Sequence, residues 1–228
     1  MIISHKYKFI FIKTNKTAGT SLEVFLSGVC GEKDIFTPVW PPANGHLPRN
    51  YKGLWNPIPD LFWKRKSDFR YLFKNIIHFN KFHSHIPALD VSKRIDKKIW
   101  NSYFKFCVER NPWDKTLSHY HMLAGRSSEP LTLDQYLANN RLCINYSNYC
   151  DSNNKIMVDQ VIKYESLNEE LAALFSKFSI PFSGHLGVFE KSEYRKDRRH
   201  YREVFSSSQR KAVADAFQIE IDLHGYYF

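Results

Sequence analysis

Four consecutive apolar residues, Phe9 to Ile12, run directly into a polar loop, Lys13-Thr14-Asn15-Lys16-Thr17-Ala18-Gly19-Thr20-Ser21. Such a short unbroken run predicts a strand buried on both faces of a parallel sheet. After the loop, Leu22, Phe25 and Leu26 share one helical face, and Thr20 to Glu23 has capping-box spacing, so a helix is predicted to start here. The pattern recurs. Phe104 to Val108 reads as a second strand, and it ends at Glu109-Arg110 before Asn111-Pro112, a natural N-cap followed by a first-turn proline. Trp113, Leu117 and Tyr120 then form one stripe of a helix. Val161 to Tyr164 predicts a third strand, followed by a helix from Ser166 with Leu171, Leu174, Phe175 and Phe178 on one side. Capping-box spacings at Thr132–Gln135 and Ser206–Gln209 mark two more helices. Alternating strand and helix signals predict an α/β fold, a central parallel sheet flanked by helices, in one domain over residues 1–228. Residues 36–80, rich in proline, tryptophan and basic side chains, break the alternation and read as an insertion or a substrate lid.

The first loop carries the chemistry of an oxyanion site. Lys16 supplies a positive charge, Gly19 allows close backbone approach, and Thr17, Thr20 and Ser21 bring hydroxyls. A strand, a tight loop and a helix N-terminus together favour a bound anion. The loop is not a Walker A motif, because Gly-x-x-x-x-Gly-Lys-Ser/Thr occurs nowhere in the chain and here the lysine precedes the glycine.

Lys-Thr-Ala-Gly-Thr-Ser (16–21) after a buried strand resembles the 5′-phosphosulfate loop of sulfotransferases that use 3′-phosphoadenosine 5′-phosphosulfate (PAPS). The second segment, Arg110, Asn111-Pro112, Trp113 and Ser118, resembles the 3′-phosphate segment of the same family. A basic His-Tyr segment, an amphipathic helix and the tail Gly225-Tyr226-Tyr227-Phe228 resemble the end of its carbohydrate branch. The resemblance implies a P-loop-like three-layer sandwich and sulfuryl transfer from PAPS to a hydroxyl acceptor, a saccharide in that branch. It assigns Lys16, Thr17, Ala18, Gly19, Thr20 and Ser21 to the donor's 5′ end, Arg110 and Ser118 to its 3′-phosphate, and Arg198, Arg199 and Tyr201 to closure over the nucleotide. Asn15 stands where relatives often have proline, and the Lys-Ser-Gly-Thr pattern of the cytosolic small-molecule branch is absent.

An attacking hydroxyl needs a proton acceptor. Phe82-His83-Ser84-His85-Ile86-Pro87 resembles the family segment that contains such a histidine, making His85 the first base candidate and His83 the second. Glu23 and Asp90 are carboxylates to consider if neither histidine faces the cleft.

Composition narrows partners only coarsely. The 33 Lys and Arg against 23 Asp and Glu give a net charge of +10, which implies an anionic partner. A nucleotide kinase would need a Walker A loop, and a basic nucleic-acid-binding module would not explain anion loops at two strand ends; no nucleic-acid partner is expected. The four cysteines, at positions 30, 107, 143 and 150, lack zinc-ribbon spacing, and the histidine pairs 83/85 and 119/121 lack further ligands, so no metal requirement is expected. The N-terminus enters the first strand without a leader or a ~20-residue apolar span, which predicts a cytoplasmic protein without an anchor.

Overall fold

The computed structural model describes residues 1–63, 69–139, 142–187, 197 and 199–228, with the side chains of residues 61–63 and 71 excepted. The elements in chain order are β1 (Ile2–Ser4), β2 (Phe9–Ile12), α1 (Gly19–Val29), β3 (Ile35–Phe36), α2 (Ile58–Trp63), α3 (Phe69–Ile77), α4 (Ala88–Arg94), α5 (Lys97–Ser102) and β4 (Phe104–Glu109). They continue with α6 (Pro112–Ala124), α7 (Leu133–Ala138), α8 (Tyr146–Tyr149), β5 (Gln160–Lys163), α9 (Leu167–Lys177), α10 (Tyr201–Val204), α11 (Ser207–Ala216) and α12 (Gln218–His224).

Among the described residues the strands form one sheet in the order β3-β1-β2-β4-β5. Its centre is parallel, with Phe9 opposite Phe104, Ile12 opposite Cys107 and Phe106 opposite Gln160. The other edge is antiparallel, so the sheet is mixed rather than wholly parallel. Connection length explains the difference: only four residues join β1 to β2, enough for a reversal but far short of the crossover a parallel pair needs.

Strand alternation divides the core between two faces. Phe9, Phe11, Phe106, Val108 and Ile162 pack on one side with Leu22 and Leu26 of α1 and Leu171, Leu174 and Phe175 of α9. Ile10, Ile12 and Cys107 pack on the other with Ala88 and Val91 of α4 and Tyr149 of α8. Helices on both faces of a central sheet make the three-layer α/β sandwich. A separate cluster gathers Trp113 and Leu117 of α6 with Tyr201, Phe205, Val213 and Phe217.

This packing places β2 and β4 side by side with aligned C-terminal ends. The loop after each strand therefore opens at the same edge of the sheet, where α/β folds gather ligands. A buried polar knot fixes that edge. Lys115 of α6 donates to Glu109 Oε1 at 2.7 Å and to Glu220 Oε2 at 2.6 Å, and all three side chains are fully buried. Glu109 also accepts from the Arg110 N–H at 2.9 Å and from Tyr149 Oη at 3.1 Å.

Candidate active site

The loop after β2 is shaped by its backbone. Lys16 and Ala18 both take left-handed conformations, with φ of +62° and +58°, and α1 begins at Gly19. The capping-box expectation fails here: Ala18 is the N-cap and brings no side-chain acceptor to the helix start. The first-turn N–H groups of α1 thus face the loop without competition from a cap side chain.

Thr20 and Glu23, the two residues read as a capping box, instead meet Lys13. The Lys13 ammonium donates to Thr20 Oγ1 at 3.3 Å and forms a buried ion pair with Glu23. Glu23 also pairs with the Met1 ammonium, which donates to Thr37 Oγ1 at 2.9 Å and the Ser84 carbonyl at 3.2 Å. Burial pulls that ammonium down to about 6, while the two cations hold the Glu23 carboxyl below its ordinary range against its own burial. Gly19 has a packing role in the loop. A Cβ there would lie 2.9 Å from Lys13 Cγ, so glycine makes room for the lysine stem passing beneath the helix start.

Thr17 turns inward, its hydroxyl 2.8 Å from that of Thr14, which itself donates to the Val108 carbonyl of β4. The Thr17 side chain fastens the loop to the sheet through Thr14. Ser21 is buried in the first turn of α1. Asn145 clamps the loop from another direction: its Oδ1 accepts from the Asn15 N–H at 2.9 Å and its Nδ2 donates to the Asn15 carbonyl at 3.0 Å.

The two anion-type segments come together. Arg110 Nη1 donates to the Lys16 carbonyl at 3.1 Å, and the guanidinium stacks over the Tyr164 ring at 4.1 Å. Asp114 holds Arg110 Nε and Nη2 at 2.8 and 2.6 Å. Asn111 caps α6 as predicted, accepting from Trp113 N–H at 3.1 Å, and Glu165 accepts from the Asn111 N–H at 2.7 Å. Lys16 Nζ lies 3.5 Å from Met122 Sδ, one turn along α6 from the half-buried Ser118.

His85 lies on the other side of Lys13. Its Nδ1 is 3.2 Å from the Lys13 backbone carbonyl, an acceptor only, so Nδ1 carries the proton and Nε2 keeps its lone pair. Burial, reinforced by the nearby Lys13 and Met1 ammonium groups, pushes its pKa down to about 3. His85 and His83 line a cavity of about 420 Å³ together with Lys13, Trp40, Tyr51, Lys74, Asn75 and Asn80. Asp90 stands apart from this arrangement, 4.0 Å from Arg94 Nη2.

The C-terminal candidates divide. Tyr201 is buried, packs on Phe228 and accepts from Asn111 Nδ2 at 3.3 Å, so its hydroxyl supports the residue next to Arg110. Arg199 is exposed and paired with Asp197 at 2.7 Å. Arg198 lies outside the described residues. The described cysteines are free thiols, no described group of three or more His, Cys, Asp or Glu is placed to hold a metal, and no described helix is long and apolar enough to cross a membrane. Lys13 and Asn145 escaped the sequence reading. Lys13 acts through Glu23, ten residues further on, and Asn145 is 130 residues from the loop it clamps.

The chain belongs to the Sulfotransferase family, which it matches over residues 1–227. An uncharacterised protein of Archaeoglobus fulgidus is 32% identical over 101 residues, covering 42% of this chain and 84% of that protein. A sulfotransferase from Alicyclobacillus acidocaldarius, known from its crystal structure, aligns over 96% of both chains with 15% identity and a TM-score of 0.47. Family membership makes the protein a transferase of sulfuryl groups.

Proposed function

We propose that this protein transfers a sulfuryl group from PAPS to a hydroxyl of a saccharide acceptor. The observation that carries the reading is the 3.1 Å bond from Arg110 to the Lys16 carbonyl, which joins the two anion-type segments at one sheet edge. The donor set suits a bisphosphorylated nucleotide. Lys16, the uncapped N-terminus of α1 and the hydroxyls of Thr20 and Ser21 serve one anionic end, and Arg110 with Ser118 serves the other. When bound, the donor supplies the sulfuryl group and a phosphate leaving group.

Lys16 balances the charge that grows on the leaving phosphate, and Arg110 orients the nucleotide through the 3′-phosphate. His85 receives the acceptor's hydroxyl proton at Nε2 as the new oxygen–sulfur bond forms and the bond from sulfur to the phosphate oxygen breaks. Its Nδ1 bond to Lys13 presents that lone pair. Lys13 ties both halves together, because its ammonium reaches Thr20 in the loop while its carbonyl holds His85. His83 lines the same cavity as the second base candidate. Tyr201 and Arg199 act from the periphery, Tyr201 through Asn111.

Radiolabelled PAPS incubated with a panel of neutral and acidic saccharides tests the reading. Label is expected in a saccharide with wild type and not with Lys16→Ala or Arg110→Ala at unchanged fold. Transfer at the wild-type rate by either variant would overturn the site assignment.

A further inference from the structure

The cavity beside His85 contains polar groups that the protein leaves unused. Lys74 and Asn75, on the last two turns of α3, and Asn80 just beyond it all line the cavity. Among the described residues, the Lys74 ammonium and the two carboxamides have no hydrogen-bond or ion-pair partner. Asn75 is only 4% exposed as a residue, and it opens on the cavity.

Charge narrows the ligand. None of the residues lining the cavity is acidic. Lys13 is neutralised by Glu23, which leaves Lys74 as the cation with no acidic partner in the wall. Trp40 and Tyr51 supply aromatic surface, the usual complement of a sugar ring's apolar face. The volume falls within the ~300–1,000 Å³ typical of small-molecule sites.

We propose that this cavity is an acceptor subsite for an anionic sugar, in which Lys74 pairs with a carboxylate or equivalent acidic group while Asn75 and Asn80 bond ring hydroxyls. The proposal rests on the sulfotransferase reading for the role of the bound sugar, but the subsite's charge preference stands on the cavity itself. The segment over residues 36–80 then brings the specificity residues to the base, and Lys74 decides between acidic and neutral acceptors.

Methyl β-D-glucuronide and methyl β-D-glucoside differ only in a carboxylate against a hydroxymethyl group. Their binding, followed by ligand-observed NMR with 3′-phosphoadenosine 5′-phosphate (PAP) present, separates charge recognition from sugar recognition. Wild type is expected to bind the glucuronide at least tenfold more tightly. Lys74→Ala brings the two ligands within about twofold, Lys74→Glu reverses the order, and Asn75→Ala weakens both. Equal binding to wild type, binding of neither ligand, or a preference that survives Lys74→Ala would overturn the proposal. PAP binding is expected to be unchanged in the Lys74 variants. A glucuronide preference in a protein that fails to bind PAP would leave the subsite standing and remove the sulfuryl-transfer reading.

Discussion

His85 donates its Nδ1–H to the backbone carbonyl of Lys13 at 3.2 Å, so the histidine's tautomer is set by the residue that begins the loop after β2. Burial keeps this imidazole neutral far below its ordinary pKa, at about 3. A base that is already deprotonated gives no acid limb near pH 6.5. The kcat/KM for the acceptor is therefore expected to stay level from pH 8 to 5 as far as His85 is concerned. A limb centred near 6.5 that disappears in His85→Asn would show an exposed, ordinary imidazole instead. His85→Asn itself is expected to lower kcat by about 10²–10⁴-fold while PAP affinity stays as in wild type.

Gly19→Ala probes the crowding beneath α1. The added methyl would stand 2.9 Å from Lys13 Cγ and push the lysine away from Glu23, a fully buried carboxylate. Alanine normally helps a helix, so propensity and packing give opposite signs. Overpacking is expected to win, with a loss of about 1–3 kcal/mol in urea unfolding. A stability equal to or above wild type would mean that the Lys13 stem moves aside freely.

The knot behind the site makes a sharper prediction. Lys115 lies between two buried carboxylates, and their charge raises its pKa. Lys115→Met leaves both carboxylates without their cation and is expected to cost about 3–5 kcal/mol. Burial raises the Glu220 carboxyl from 4.5 to about 7. The folded chain thus keeps a proton that the unfolded chain releases between these values. This contribution is complete below pH 4.5 and is lost as pH rises through 7. Glu220→Gln should accordingly show a smaller fall in urea midpoint between pH 5.5 and 8 than wild type. An equal fall in both proteins would contradict the raised carboxyl.

Much of this arrangement was legible in the chain. Phe9–Ile12 and Phe104–Val108 announced the two central strands by apolar runs alone, and Asn111-Pro112 announced the helix that follows the second. Local chemistry of this kind is written in consecutive residues. The failures came from tertiary partners. Thr20 and Glu23 have correct capping-box spacing, yet a lysine seven residues before Thr20 reaches both and displaces the cap. Asn15, a departure from the family's proline, has a structural reason: its N–H donates to Asn145, a bond proline cannot make. The antiparallel edge was hidden because β1 has only three residues, too few to show a period.

If the Lys16 loop and Arg110 form one site for a 3′-phosphorylated nucleotide, PAP should stabilise the fold through both. Thermal unfolding with PAP tests it most directly, with ADP and ATP as controls and Arg110→Ala beside wild type. At a hundred times its dissociation constant PAP should add about 2.7 kcal/mol of stability to wild type. This gain is expected to be selective for PAP and absent in Arg110→Ala. No stabilisation, equal stabilisation by ADP and ATP, or a gain that persists without Arg110 would contradict it.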